Sequence, residues 1–193
     1  MLPFESTLTP EKMKLSAQLA ALEMIRSGTT AFIDAGSYHM KEAVKVYDKA
    51  GLRGTLSLST MDEKGLPESI ATTTEEAVAR ADDFYEFCRE YKRLKSAYAL
   101  RSLISCSESL ICQITEHADD RKALLQAHMN EYPGEVNFFL QHFKMRPYEY
   151  LDSLRVLSDR FIGAHSIMVS AHERSILHER NVQVCHCPFS NCA

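Results

Sequence analysis

Several features are scarce in this chain, and each absence excludes a class of protein. Glycine occurs only 7 times in 193 residues, about half its usual abundance of about 7%, and no Ser/Gly-rich or low-complexity stretch marks a linker. Residues 1–193 are therefore expected to form one domain. No apolar run approaches the roughly 18 residues that span a bilayer. The start, Met1-Leu2-Pro3-Phe4-Glu5, lacks the basic-then-apolar layout of a secretory signal. A cytoplasmic protein with no membrane partner is expected. Basic charge is also short: the net charge is −4, with Lys and Arg scattered among Asp and Glu, so no stripe is available for phosphate backbones and nucleic acid is excluded as a partner. A Gly-x-Gly-x-x-Gly loop is missing, which disfavours a nucleotide cofactor. Six cysteines without a secretory segment read as reduced thiols rather than a disulfide framework.

What is present is alternation. Thr9-Pro10-Glu11 is a helix start, with Thr as cap and Pro at the first helical position. Met13, Ala17, Ala20, Ala21, Met24 and Ile25 then recur at three- and four-residue steps until Gly28, the pattern of a helix packed on one face. The run from Thr29 to Asp34 is short, apolar and β-branched, as in a buried strand. Helical periodicity returns at 40–50, 74–92, 107–117, 135–143, 148–158 and 171–179. Strand-like runs fall at 52–60, 95–104, 123–128, 160–166 and 181–186. Strands alternating with helices predict an α/β fold with a parallel sheet. About six strands suit either a doubly wound sheet or a partial (β/α)8 TIM barrel, since a complete barrel takes about 250 residues.

In such folds the chemistry gathers where strands end. Asp34, Arg101, His128, His165 and His186 all close expected strands. Three of eight histidines at strand ends point to one shared site, because a buried imidazole must find a partner. Neutral imidazole is the commonest metal ligand, which makes His128 and His165 metal-site candidates. Glu131, three residues after His128, is a carboxylate placed to move a proton to or from an activated water. Cys185-His186-Cys187 is a rival cluster, but neighbours along a strand face opposite ways, so His186 cannot join a metal held by the two cysteines.

Four stretches, in order, resemble the amidohydrolase superfamily, in its branch of metal-dependent aminohydrolases: Glu23 to Asp34; Ser105-Cys106-Ser107-Glu108-Ser109-Leu110; His128-Met129-Asn130-Glu131; and Ala164-His165-Ser166 followed by Val184-Cys185-His186-Cys187-Pro188-Phe189-Ser190-Asn191. The resemblance implies a (β/α)8 barrel with a β-sandwich and one divalent metal ion, Zn²⁺ ahead of Fe²⁺. It implies deamination, or hydrolytic displacement of a group, on a nitrogen heterocycle such as a purine, pyrimidine or triazine. By position His128 becomes a metal ligand, Glu131 the acid/base and His165 the residue that orients or deprotonates the attacking water. His186 becomes a substrate contact, Arg101 at its strand end is a second expected substrate contact, and a homo-oligomer is the expected assembly. The pattern also departs from the family: no His-x-His occurs, and no strand ending in Asp follows His186. The expectation is therefore a partial barrel without its first and last strands or sandwich, inactive alone. The alternative is a noncatalytic remnant that associates with a complete paralogue.

Overall fold

The computed structural model describes residues 2–63 and 65–192. Six strands, β1 (Phe32–Ile33), β2 (Gly54–Ser57), β3 (Leu94–Ser102), β4 (Leu125–Met129), β5 (Phe161–His165) and β6 (Gln183–Cys185), form one parallel sheet in strict chain order. A doubly wound sheet would reverse direction at a switch point. This one never reverses, so it curls as six successive strands of a β/α barrel, and the partial-barrel expectation holds. Nine α-helices are described. The four that matter first are α1 (Leu2–Glu5), α2 (Pro10–Arg26), α3 (Met40–Lys49) and α4 (Thr74–Cys88). They are followed by α5 (Glu108–Asp120), α6 (Pro133–His142), α7 (Pro147–Ser153), α8 (Ala171–Glu179) and α9 (Pro188–Asn191). Among the described residues no helix is long and apolar enough to cross a membrane.

The helix starts follow from local chemistry. Thr9, Ser107, Thr73 and Ser170 each accept a bond from a backbone amide of the first turn, and the last two form capping boxes with Glu76 and Glu173, which satisfies donors that have no partner inside the helix. Two apolar clusters hold the helices to the sheet. One gathers Met13, Ala17, Val44, Leu56, Phe84 and Leu94; the other gathers Tyr98, Leu110, Phe139, Tyr148, Leu151 and Phe161.

Several element bounds differ from expectation for physical reasons. β1 has only two residues because it is an edge strand with one neighbour. The stretch 148–158 is helical only to Ser153: Arg155 adopts φ 60°, and the Val156 amide turns back to the Leu151 carbonyl at 3.1 Å, a left-handed helix stop. The four-residue helices α1 and α9 are too short to carry a periodic signal in the sequence. On α2 the buried face is Met13, Ala17 and Ala21, while Ile25 joins Leu15, Leu19 and Leu22 in a second apolar stripe that is more than half exposed. Ile33 and Val184, on the two edge strands, are also exposed.

The join between β4 and β5 is set by pairing His128 with Ala164 and Met129 with His165. Gly163 makes this possible: a Cβ there would overlap the hydroxyl of the fully buried Tyr148, whose Oη lies 2.6 Å from Ser166 Oγ. Gly163→Ala is therefore expected to cost about 2 kcal/mol through overpacking. In a Tyr148→Phe background, where the clashing oxygen is gone, the same change should cost clearly less in urea denaturation. Equal costs in both backgrounds would show that Tyr148 does not set this constraint.

Candidate active site

The loops leaving β3, β4 and β5 enclose a cleft of about 260 Å³, walled by Arg101, Ser102, His128, Glu131, Glu135 and His165 among others, with Ser190 at its far side. Four of the five residues singled out for site roles thus meet in one place. His186 does not line it and lies exposed after β6. Asp34 is also elsewhere: its Oδ1 accepts the Gly36 amide at 2.8 Å in a turn, and its carbonyl accepts Gln126 Nε2 at 2.7 Å.

The imidazoles of His128 and His165 stack with ring centroids 5.4 Å apart. Asn191 Oδ1, which can only accept, lies 3.0 Å from His165 Nδ1, so this nitrogen carries the proton and Nε2 is left to face Glu131 Oε1 at 3.5 Å. A ring nitrogen and a carboxylate oxygen thus face the same side of the cleft, both within reach of one bound polar group. His128 is pushed down from the ordinary histidine value, first by burial and then by the Arg101 charge and the neighbouring His165, against the pull of Glu131. Low basicity keeps it neutral with a lone pair to offer.

The backbone beneath is strained and tightly tied. Asn130, His165 and Ser166 have φ of 47°, 67° and 55°, a region costly for residues with a Cβ. The loop after β5 is stitched to the loop after β4: the Ser166 amide donates to the Met129 carbonyl at 2.9 Å, and the Ile167 and Met168 amides to the Asn130 carbonyl at 3.1 and 2.9 Å. Below these bonds lies Glu173, with no exposed side-chain surface, which accepts from Asn130 Nδ2 at 2.9 Å, Arg146 Nε at 2.6 Å, and the Tyr148 and Ser170 amides. Burial opposes its charge, yet the Ser170 amide, Arg146 and Asn130 outweigh burial and hold its carboxyl below the usual range.

Three functional neighbours were not read from sequence. Glu173 was legible in Ser170-x-x-Glu173, a capping-box spacing. Glu135, in the first turn of α6, accepts the Glu131 amide on Oε2 at 2.9 Å and so fixes the backbone that carries Glu131. Glu5 pairs with Arg101 at 2.7 Å, both side chains largely buried, and brings α1 over the strand ends. Only the fold makes that contact, since 96 residues separate the partners. Glu5 also lines a second cavity of about 420 Å³ beside the cleft, at the ends of β1 and β2.

A catalytic zinc site takes three protein ligands and keeps one position open. Among the described residues no group of three His, Cys, Asp or Glu side chains comes together to hold an ion. Neutral His128 suits one ligand position, but these residues do not by themselves fit a complete metal centre.

The sequence pattern of the Amidohydrolase family matches residues 2–193. The chain belongs to that family. Among its relatives, the amidohydrolase described as 5'-deoxyadenosine deaminase from Methanothrix thermoacetophila is 31% identical over 189 residues, which covers 98% of this chain and 43% of that protein. The 5-methylthioadenosine/S-adenosylhomocysteine deaminase of Aquifex aeolicus is 33% identical over 185 residues, with coverage of 95% and 42%. An adenosine deaminase structure from Xanthomonas campestris with bound zinc superposes with a TM-score of 0.88 at 26% identity, covering 96% of this chain and 42% of that one. The chain thus spans less than half the length of the amidohydrolases it matches.

Glu135 supplies a test of how the cleft is built. Burial pushes its carboxyl up to about 7, against the pull of the Glu131 and Asn130 amides. Between the ordinary glutamate value of about 4.3 and that point, the folded chain holds a proton that the unfolded chain has released. Stability therefore falls as pH rises through this window. Glu135→Gln is expected to flatten that fall, read as urea midpoints at pH 5 and pH 7.5. An unchanged slope would mean the carboxyl is not held in its neutral form.

Proposed function

We propose that this chain is part of a metal-dependent hydrolase that deaminates a nitrogen heterocycle, with the adenine ring of a nucleoside-like substrate as the leading class. The observation that carries the reading is the facing pair of His165 Nε2 and Glu131 Oε1, 3.5 Å apart beside the neutral imidazole of His128. Its support from likeness is that the two relatives described above are deaminases of adenine-bearing compounds.

In this reading Glu131 carries a proton from the attacking water to a ring nitrogen or to the departing amino group, which makes the ring carbon electrophilic and the leaving group neutral. His165, with Nδ1 fixed by Asn191, presents Nε2 to the water and holds it in line. Arg101 and Glu5 border the cleft and the larger cavity next to it, where the rest of the substrate would lie. His128 is the proposed metal ligand, and zinc is the proposed ion because the similar Xanthomonas structure contains it. His186 would contact substrate or ions only after rearrangement of the exposed segment that follows β6.

Because only one clear ligand is present, the chain alone is expected to be inactive. A second reading, association with a complete paralogue, is favoured by the exposed stripe on α2 and the exposed Ile33 and Val184 at the sheet edges, which are surfaces that seek partners. One experiment addresses the main reading. The purified chain with Zn²⁺ and 5'-deoxyadenosine should release no ammonia. A fusion that adds the remaining barrel strands of the Aquifex aeolicus relative should turn over, and Glu131→Gln in it should lower kcat by about 10²–10⁴-fold with little change in KM. Turnover by the isolated chain, or full activity of the Glu131→Gln fusion, would contradict the proposal.

A further inference from the structure

The cysteines fall into two environments. Cys88 and Cys106 are buried, and burial pushes both thiols up to about 12, so neither supplies a thiolate near neutral pH. Cys112 and Cys192 are exposed, on α5 and just after α9. Cys185 and Cys187 differ from all of these because they form a pair. Cys185 ends β6 and is exposed; Cys187, partly exposed, stands at the start of α9. Residues two apart along an extended chain share a side, and the Cys187 thiol turns back along the backbone to donate to the Cys185 carbonyl at 3.3 Å. Burial first, and then the Cys187 thiol, hold the Cys185 thiol above its ordinary value. The two sulfurs therefore lie within each other's influence.

β6 pairs only with β5, so no ladder on its other edge resists a small movement of Cys187 toward Cys185. A disulfide over one intervening residue restricts the unfolded chain little, and exposed bonds of this kind are the readily reversed ones. We infer that Cys185 and Cys187 are a redox-active dithiol whose co-reactant is a small organic disulfide, and that its closure alters the hold of α9 on His165. One cysteine thiolate attacks a sulfur of the small disulfide, which forms a mixed disulfide and expels a first small thiolate. The other cysteine thiolate attacks the protein sulfur of that bond. The Cys185–Cys187 bond forms and a second small thiolate leaves. The cysteine pair is oxidised by two electrons, the small disulfide is reduced to two thiols, and the two cysteine protons end on them. The effect on the cleft runs through Cys187, whose carbonyl accepts the Asn191 amide at 3.2 Å, while Asn191 Oδ1 lies 3.0 Å from His165 Nδ1. α9 has four residues and no buried side chain, so a turn of the Cys187 backbone passes to Asn191 instead of being absorbed by packing. Nothing in this inference depends on the catalytic reading, since His165 serves in it only as a reporter.

Glutathione disulfide added to the reduced full chain is a suitable probe. In mass spectra the peptide 181–193, which holds Cys185, Cys187 and Cys192, should lose two hydrogens and carry no glutathione. Cys192→Ser should leave that result unchanged. Cys185→Ser should stop at the mixed disulfide, with one glutathione retained on Cys187. Both replaced side chains are exposed, so the fold is kept. In nitrogen NMR spectra of the wild-type chain, the His165 Nδ1 and Nε2 resonances should move on oxidation and return on reduction with dithiothreitol. Thiols that stay free, glutathione that persists on wild-type Cys185 or Cys187, a bond to Cys192 instead, or His165 resonances that ignore oxidation would overturn the proposal.

Discussion

The site depends on a single buried carboxylate. Glu173 has no exposed side-chain surface and collects donors from three parts of the chain: Asn130 on the loop after β4, Arg146 and the Tyr148 amide at the start of α7, and the Ser170 amide at its own helix start. A buried charge is costly unless fully paired. Here pairing is the means by which two loops that carry chemistry are held to one another. Glu131 lies one residue after Asn130, and His165 lies two residues before Ile167, whose amide donates to the Asn130 carbonyl. Removing the carboxylate would leave an amide side chain, a guanidinium and two backbone amides without this partner, beneath the backbone bonds that tie positions 166–168 to Met129 and Asn130.

This arrangement explains how part of a barrel can present an ordered half-site. The cleft lies over β3, β4 and β5, which have neighbours on both sides, whereas the edges fall at β1 and β6. Core packing is correspondingly uneven. Phe161, Tyr148 and Phe139 behind the site are sealed, but β6 is exposed along its length. His165 draws on that exposed edge through Asn191 of α9, a four-residue helix with no buried side chain, so the ring orientation that points Nε2 at Glu131 relies on a short exposed element.

Much of this was legible in the sequence. The alternation of periodicities gave the parallel sheet, and strand-end placement brought Arg101, His128, Glu131 and His165 into one group. Chain order of the strands was not legible, because periodicity says nothing of which strand lies beside which. Nor were the partners of the site. Glu5 reaches Arg101 across 96 positions, and Glu135 reads as an ordinary first-turn acid until the backbone of Glu131 is seen to lie over it. Ile25 lies off the buried face of α2 because that helix has two apolar stripes, and composition alone does not tell which one meets the sheet. His186 shares its strand-end position with the other histidines, but it lies exposed and outside the lining of the cleft.

Amide hydrogen exchange at Ser166, Ile167 and Met168, compared between the wild-type chain and Glu173→Gln, tests the role of this carboxylate most directly. Loss of a buried, multiply bonded charge of this kind is worth about 3 kcal/mol, or roughly 100-fold in opening. The account predicts that much faster exchange at these three amides, with β2 amides such as Leu56 unaffected. Unaltered protection at positions 166–168 would contradict it, and would mean that the loops after β4 and β5 are held together by something other than Glu173.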